Sequence, residues 1–234
     1  MADAEILPKK SDLPVRAASA VVMLMVAGTA LWLGGWVWAV FVVAVALGVL
    51  WEWRQLVMGF AVGAAARALW MIAGLVYVML GAGILMVLRL PLFGGVTTAL
   101  IPLVLVVATD VGAYFTGRTI GGPKIAPRVS PSKTWSGLIG GMVSATLALW
   151  LCNRAFDTSF LSNSRDIIVI GPLGAVLAQA GDFFESWMKR RAGAKDSGTL
   201  LPGHGGLFDR VDGLLAILAG FAVISAAGGL FGWW

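Results

Sequence analysis

The sequence predicts an all-α, polytopic integral membrane protein of about seven transmembrane helices, within bounds of about six to nine. Three observations predict it. Hydrophobic residues make up 59% of the 234 residues and charged residues 12%, against about 45–50% and about 25% in soluble domains. The mean hydropathy is +0.89. The apolar positions gather into runs near the roughly 20 residues that cross a bilayer as a helix. A soluble globular domain and a disordered chain are both excluded.

The runs are residues 15–33, 35–51, 68–88, 92–115, 135–151, 166–187 and 213–234. Each is apolar all round, as lipid-embedded helices are. Residues 1–16 are polar, carry Lys9, Lys10 and Arg16, and lead to no small-residue cleavage site, so the first run is expected to be a retained span and not a signal peptide. Gly is abundant at 31 residues, which suits close helix contacts in lipid. Gly59 with Gly63, and Gly117 with Gly121, have small-xxx-small spacing. The eleven Trp residues, Trp32, Trp36, Trp38, Trp51, Trp53, Trp70, Trp135, Trp150, Trp187, Trp233 and Trp234, mostly lie near run ends. They are expected to anchor at the headgroup level, ring buried and N–H wet.

Charge predicts orientation. Three basic residues lie in the N-terminal tail, Arg54 and Arg67 after run two, Arg118, Lys124, Arg128 and Lys133 after run four, and Lys189, Arg190, Arg191, Lys195 and Arg210 after run six. The alternate loops hold none, then Arg89, then Arg154 with Arg165. The positive-inside rule puts the N-terminus in the cytoplasm and the C-terminus outside, with the polar loops 116–134 and 188–212 on the cytoplasmic side. The net charge of +5 is therefore a topology signal, and no nucleic-acid partner is expected. The single Cys152 excludes an intrachain disulfide and a Cys-rich zinc site, and reads as a small hydrophobe near the outer face. The single His204 excludes a multi-histidine metal site.

The chemistry-bearing residues are concentrated. Five of the twelve acids, Asp182, Glu185, Asp196, Asp209 and Asp212, fall between 182 and 212 with five basic residues among them. Asp182, Glu185 and Lys189 stand at i, i+3 and i+7 on one helix face. Two carboxylates there suit a hard divalent cation; a helix-end ion-pair stripe is the alternative. Asp209 and Asp212, at i and i+3, open the last run and are placed to meet Asp182 and Glu185 across a helix contact. Asp110 lies in an apolar run, where a carboxylate costs roughly 2.5–3.5 kcal/mol. It is a functional candidate, or else a hydrated or paired helix-end residue. The Gly-His-Gly-Gly turn at 203–206 offers backbone N–H groups able to approach phosphate oxygens, with His204 either structural or substrate-binding. Ser-Pro-Ser-Lys-Thr at 130–134 precedes a run and predicts either an anion-receiving helix N-terminus or a plain cap. It is not a Walker loop, because the Gly-x-x-x-x-Gly-Lys spacing is missing.

Ser186, Lys189-Arg190, Lys195-Asp196 and Pro202-Gly203-His204-Gly205-Gly206-Leu207-Phe208-Asp209-Arg210-Val211-Asp212 together resemble the signature of the phosphatidate cytidylyltransferases, also called CDP-diglyceride synthases. Thr109-Asp110, Ala113-Tyr114, Gly117-Arg118 and Ser130-Pro131-Ser132-Lys133-Thr134-Trp135 resemble the second motif region of that family. The resemblance covers about residues 105–215; the first three runs match only in being apolar. Ser136 stands where Glu is frequent, Phe208 where Leu is, and the chain is short for the family, as if one or two N-terminal spans were missing.

The resemblance implies a chain organised as N-terminal helices over 1–104 and a catalytic core over 105–234. It implies transfer of CMP from CTP to phosphatidic acid, giving CDP-diacylglycerol and pyrophosphate for phospholipid synthesis. It further implies Mg²⁺, a monovalent cation such as K⁺, a homodimer, and a bacterial-type inner membrane with the site facing the cytoplasm. Asp182 and Asp209 become the metal carboxylates, with Glu185 and Asp212 in or near the shell. Lys189, Arg190, Lys195 and Arg210 would neutralise phosphates, Ser130, Ser132, Lys133, Arg118 and His204 would hold substrate, and Asp110 would orient a basic residue or join the metal. The competing readings are a CTP-using enzyme with another lipid acceptor, and a transporter centred on Asp110. The motif of the CDP-alcohol phosphotransferases is not present.

Overall fold

The computed structural model describes residues 13–156, 164–201 and 203–231, with side chains over 16–156, 166–201 and 203–227. Lys9, Lys10, Pro202, Trp233 and Trp234 lie outside the described residues. The described residues form seven α-helices, α1 (Leu13–Leu33), α2 (Gly35–Phe60), α3 (Ala64–Leu88), α4 (Val96–Thr119), α5 (Trp135–Phe156), α6 (Ser164–Arg191) and α7 (Phe208–Phe231). All seven are long and apolar enough to cross a membrane. Two strands, β1 (Lys124–Ala126) and β2 (Ser130–Thr134), pair antiparallel between α4 and α5, with Lys124 opposite Thr134 and Ala126 opposite Ser130.

The helices outrun the apolar runs where charge finds a partner. α2 continues through Glu52 and Arg54 to Phe60, past the expected end at residue 51. α6 continues to Arg191, and its last turn holds Lys189, Arg190 and Arg191, where cations complement the helix dipole. Conversely, α4 starts at Val96 instead of 92. Pro91 opens a separate 3₁₀ turn, and Gly94 and Gly95 take φ of 100° and 67°, a backbone that glycine adopts without strain.

Consecutive helices alternate in direction, so the N-terminal ends of α1, α3, α5 and α7 share one end of the bundle, where Ser19 on α1 meets His204 just before α7. The tightest contact is α4 on α5. A Cβ at Gly112 would lie 2.7 Å from the Gly140 carbonyl, and one at Gly137 3.1 Å from that of Ala113. α6 packs on α5 and α7, α3 on α7 and α2, and α1 lies mainly along α2. The small-xxx-small pairs are used by halves. Gly59 meets Ala192 and Gly117 meets Gly137, whereas Gly63 and Gly121 have positive φ at helix ends with open space around them.

Two tryptophans depart from the anchor reading. Trp53 is 1% exposed and Trp38 5% exposed. The longer α2 carries Trp53 into the bundle wall, where its ring centroid lies 5.7–6.4 Å from those of Trp70, Tyr77, Phe184 and Phe208. Its N–H donates to the Trp70 carbonyl at 2.9 Å, so an indole can be buried there. Phe208 has its packing partner in Trp53.

At the opposite end, Arg89 donates to the carbonyls of Leu31 (2.8 Å) and Trp32 (3.1 Å), closing the C-terminus of α1. A hydrogen bond from a charged donor contributes about 1.5–3 kcal/mol. Arg89→Ala is therefore expected to lower the thermal midpoint in detergent while leaving turnover within about two-fold. A variant that melts like the parent would refute the tie.

Candidate active site

The polar end of the bundle gathers residues from α4, β2, α6, the 192–207 loop and α7. Asp209, in the first turn of α7, is the most heavily donated group. Its Oδ2 accepts from the Ser197 N–H (2.9 Å), the Ser197 hydroxyl (3.0 Å) and the Gly206 N–H (2.9 Å). Its Oδ1 accepts from Lys189 Nζ at 2.6 Å. Such a donor set suits an ionised carboxylate. Lys189 also pairs with Glu185 Oε2 at 2.5 Å, one turn back on α6. Glu185 is 2% exposed, and its Oε1 has no hydrogen-bond partner among the described residues.

A second group lies beside it. Lys133, reaching from β2, forms an ion pair with Asp182 and sits 5.0 Å over the Phe183 ring. Asp212 faces Asp182, with its own Oδ1 accepting from the Gly213 N–H at 2.9 Å. Glycine makes this meeting of α6 and α7 possible. A Cβ at Gly181 would lie 2.5 Å from the Asp212 carbonyl, and one at Gly213 3.3 Å from Asp182 Oδ1. Asp110 is exposed on α4, within electrostatic reach of Asp182 and Lys133.

The four carboxylates thus lie at the same end of the bundle as two pairs, Asp182 with Asp212 and Glu185 with Asp209, each pair holding one lysine. Among the described residues no group of three or more His, Cys, Asp or Glu is placed to hold a metal ion. The chemistry of the pairs nevertheless fits a hard divalent cation. The donors are all oxygens, one buried carboxylate oxygen is unpartnered, and Mg²⁺ typically takes only one or two carboxylates and completes its shell with water and substrate phosphate.

Of the two readings of residues 130–134, the structure shows the plain cap: Ser130–Thr134 is a strand that leads directly into α5 at Trp135. The start of α5 is closed by the protein itself, because Thr134 Oγ1 accepts from the Gly137 N–H at 3.1 Å. Ser136 joins Thr134 at 3.0 Å and donates to the Gly121 carbonyl, which gives Ser a use at that position. Ser130 is buried, Ser132 is exposed, and the Ser132 carbonyl accepts from Lys124 at 3.3 Å.

The Gly-His-Gly-Gly turn forms, with positive φ at Gly203 and Gly205. Two of its N–H groups, and the one that follows the turn, are taken within the chain. His204 N–H goes to the Leu201 carbonyl, Gly206 N–H to Asp209 and Leu207 N–H to a glutamate on α2. Lys195, Arg190, Arg118 and Arg210 are exposed around the site. Arg118 donates to the Tyr114 hydroxyl at 2.7 Å and Arg210 to the His204 carbonyl at 2.6 Å. The His204 ring shares a 2.8 Å hydrogen bond with Ser19 on α1.

The glutamate is Glu52, which the sequence reading passed over, as it did Ser197. Glu52 is fully buried. It accepts from the Leu207 N–H (2.9 Å), the Phe208 N–H (2.8 Å) and the Ser197 hydroxyl (2.9 Å). A signal was present, because Glu52 is the sole acid between Asp12 and Asp110.

The chain is similar to known proteins over most of its length. Residues 60–227 match the model of the cytidylyltransferase family. A phosphatidate cytidylyltransferase of Brucella suis is 36% identical over 250 aligned positions, covering 89% of this chain and 92% of the relative. One from Rickettsia bellii is 33% identical over 214 positions, 88% of each chain. One from Haemophilus influenzae is 40% identical over 133 positions, 56% of this chain and 46% of the relative. With a family match over most of its length and relatives above 30% identity along nearly all of it, the chain belongs to the cytidylyltransferase family.

Proposed function

We propose that this protein transfers the cytidylyl group of CTP to phosphatidic acid, giving CDP-diacylglycerol and pyrophosphate, at the cytoplasmic face of a bacterial inner membrane. The observation that carries the reading is the alternation of carboxylate and ammonium, Asp212, Asp182, Lys133 and Glu185, Lys189, Asp209, at one end of an otherwise apolar bundle. Relatives 33% and 36% identical over most of the chain are named phosphatidate cytidylyltransferases.

The reaction joins two polyanions. An oxygen of the lipid phosphate attacks the α-phosphorus of CTP, a new P–O bond forms, and the bond to the β-phosphate breaks to release pyrophosphate. The nucleophile is already anionic, so a strong general base is unnecessary. Positioning and charge neutralisation do most of the work. Lys133 and Lys189 sit in the polar end, and Lys195, Arg190, Arg118 and Arg210 rim it, where they would draw in and neutralise phosphates. Ser130, Ser132 and His204 are assigned to substrate contacts on their positions beside these cations. Mg²⁺, with Asp182 and Asp209 as its carboxylates and Glu185 and Asp212 in or near its shell, would supply further neutralisation of the triphosphate; K⁺ and a homodimer belong to the same reading. Phosphatidate, with its tails in the bilayer, presents its headgroup at the level of Asp110 and Lys133. The cytoplasmic orientation is supported by the basic residues, which gather at the site end and leave Arg89, Arg154 and Arg165 at the other.

Solubilised protein given labelled CTP, phosphatidate and Mg²⁺ is expected to move label into the lipid phase, and EDTA is expected to abolish this. Absence of lipid label from folded protein, across several acyl lengths, would redirect the assignment to another lipid acceptor. Undiminished turnover in EDTA would remove the metal.

A further inference from the structure

We infer that Glu52 is a positioning residue of the transfer site, acting through Ser197 and the α7 N-terminus on Asp209. The inference rests on the functional reading above. Glu52 lies outside the matched residues 60–227, on a helix whose sequence carries no signature, yet the signature loop is folded around it. Its carboxylate takes the Leu207 and Phe208 N–H groups at the start of α7, a place where a helix favours an anion. The same carboxylate accepts from Ser197, whose hydroxyl and N–H both reach Asp209 Oδ2. The chain of contact thus runs Glu52, Ser197, Asp209, Lys189.

Two loop glycines follow from the same group. A Cβ at Gly206 would stand 2.7 Å from Glu52 Oε2, and one at Gly198 would collide with Glu52 Oε1. The loop has room for Glu52 only because both positions lack side chains. Glu52 itself is fully buried and cannot touch substrate. Its role is to fix where Asp209 points, as an outer partner fixes a ligand.

The test compares Glu52→Gln, Ser197→Ala and the double variant in the full-length protein, scored for kcat, KM for CTP, thermal midpoint and trypsin cleavage after Lys195. Glu52→Gln keeps the volume and one carbonyl acceptor. It is expected to lower kcat about 10- to 100-fold, the range seen for outer-sphere partners, with KM changed less than about three-fold and a cooperative melt retained. Cleavage after Lys195 should accelerate as the loop loosens. The double variant should lose no more than the worse single, because both act through one chain of contacts. Wild-type kcat in folded Glu52→Gln, or single losses that multiply, would overturn the inference. So would a kcat loss matched by lost folded fraction. If Glu52→Gln does not fold, Ser197→Ala decides: unchanged kcat and cleavage there would overturn it. A parent protein that makes no lipid-linked label would instead defeat the functional reading.

Discussion

Asp209→Asn is expected to lower kcat by about 10²- to 10³-fold, the range for removing a preorganised charged or donor group from a site that stabilises developing charge. The substitution keeps the shape and removes the charge. The Asp209 carboxylate now receives Lys189 and three donors from Ser197 and Gly206. An amide in its place sets an NH₂ against N–H and ammonium donors, leaving one of them buried and unpaired. Lys189 would then be held by Glu185 alone, and the pair of carboxylates assigned to the cation would be reduced to one. The measurement is kcat with saturating CTP and phosphatidate, beside a melting curve that shows the variant folded. Near-parental turnover would sink the assignment of Asp209 to the chemistry.

Gly181→Ala should be nearly as damaging, although it adds only one methyl group. That Cβ would sit 2.5 Å from the Asp212 carbonyl, 2.6 Å from the Ala216 Cβ and 3.0 Å from the Asp212 carbonyl carbon. Backbone atoms cannot swing aside, so α6 and α7 must separate. Overpacking of this kind costs about 1–3 kcal/mol. The separation falls where Asp182 and Asp212 face each other, so turnover should drop by about 10²-fold, as misplacement by about an ångström does. Gly28→Ala provides the contrast. It lies in a helix with nothing within 4 Å of the added Cβ, and Ala is favoured there by roughly 0.5–1 kcal/mol. A Gly181→Ala protein that melts and turns over like Gly28→Ala would show that the α6–α7 approach does not control the site.

Much of the molecule was legible in the chain. Lipid imposes helices on long apolar segments, so seven runs became seven helices. Asp182, Glu185, Asp209 and Asp212 converge with Lys133 and Lys189 because they lie on the last turns of α6 and the first turns of α7, with the strand of Lys133 beside them. Helix ends were less legible, since hydropathy falls at Glu52 or Lys189 while the backbone has no reason to stop. The hairpin was hidden because Ser-Pro-Ser-Lys-Thr serves equally as strand and as helix approach, and only the pairing of Lys124 with Thr134 decides. The glycine turn suggested free N–H groups, but that of Gly206 goes to Asp209, and those of Leu207 and Phe208 just beyond go to a carboxylate on α2. Glu52 was invisible for the same reason. Between Trp51 and Trp53 it has the look of an interfacial residue, and its partners arrive from the far end of the chain.

That separation has a consequence for how the protein is made. A chain is synthesised and inserted from its N-terminus onward, so α2 is in place well before α7 exists. Glu52 must spend that interval near the membrane surface without the N–H groups that later satisfy it, held in water or beside Arg54. Only when Phe208 and Leu207 emerge can the loop wrap the waiting carboxylate, order Ser197 and turn Asp209 inward. The active site is thus the last part of the fold to assemble. A nascent chain stalled before α7 should expose Glu52 to water-soluble probes, and the completed chain should not.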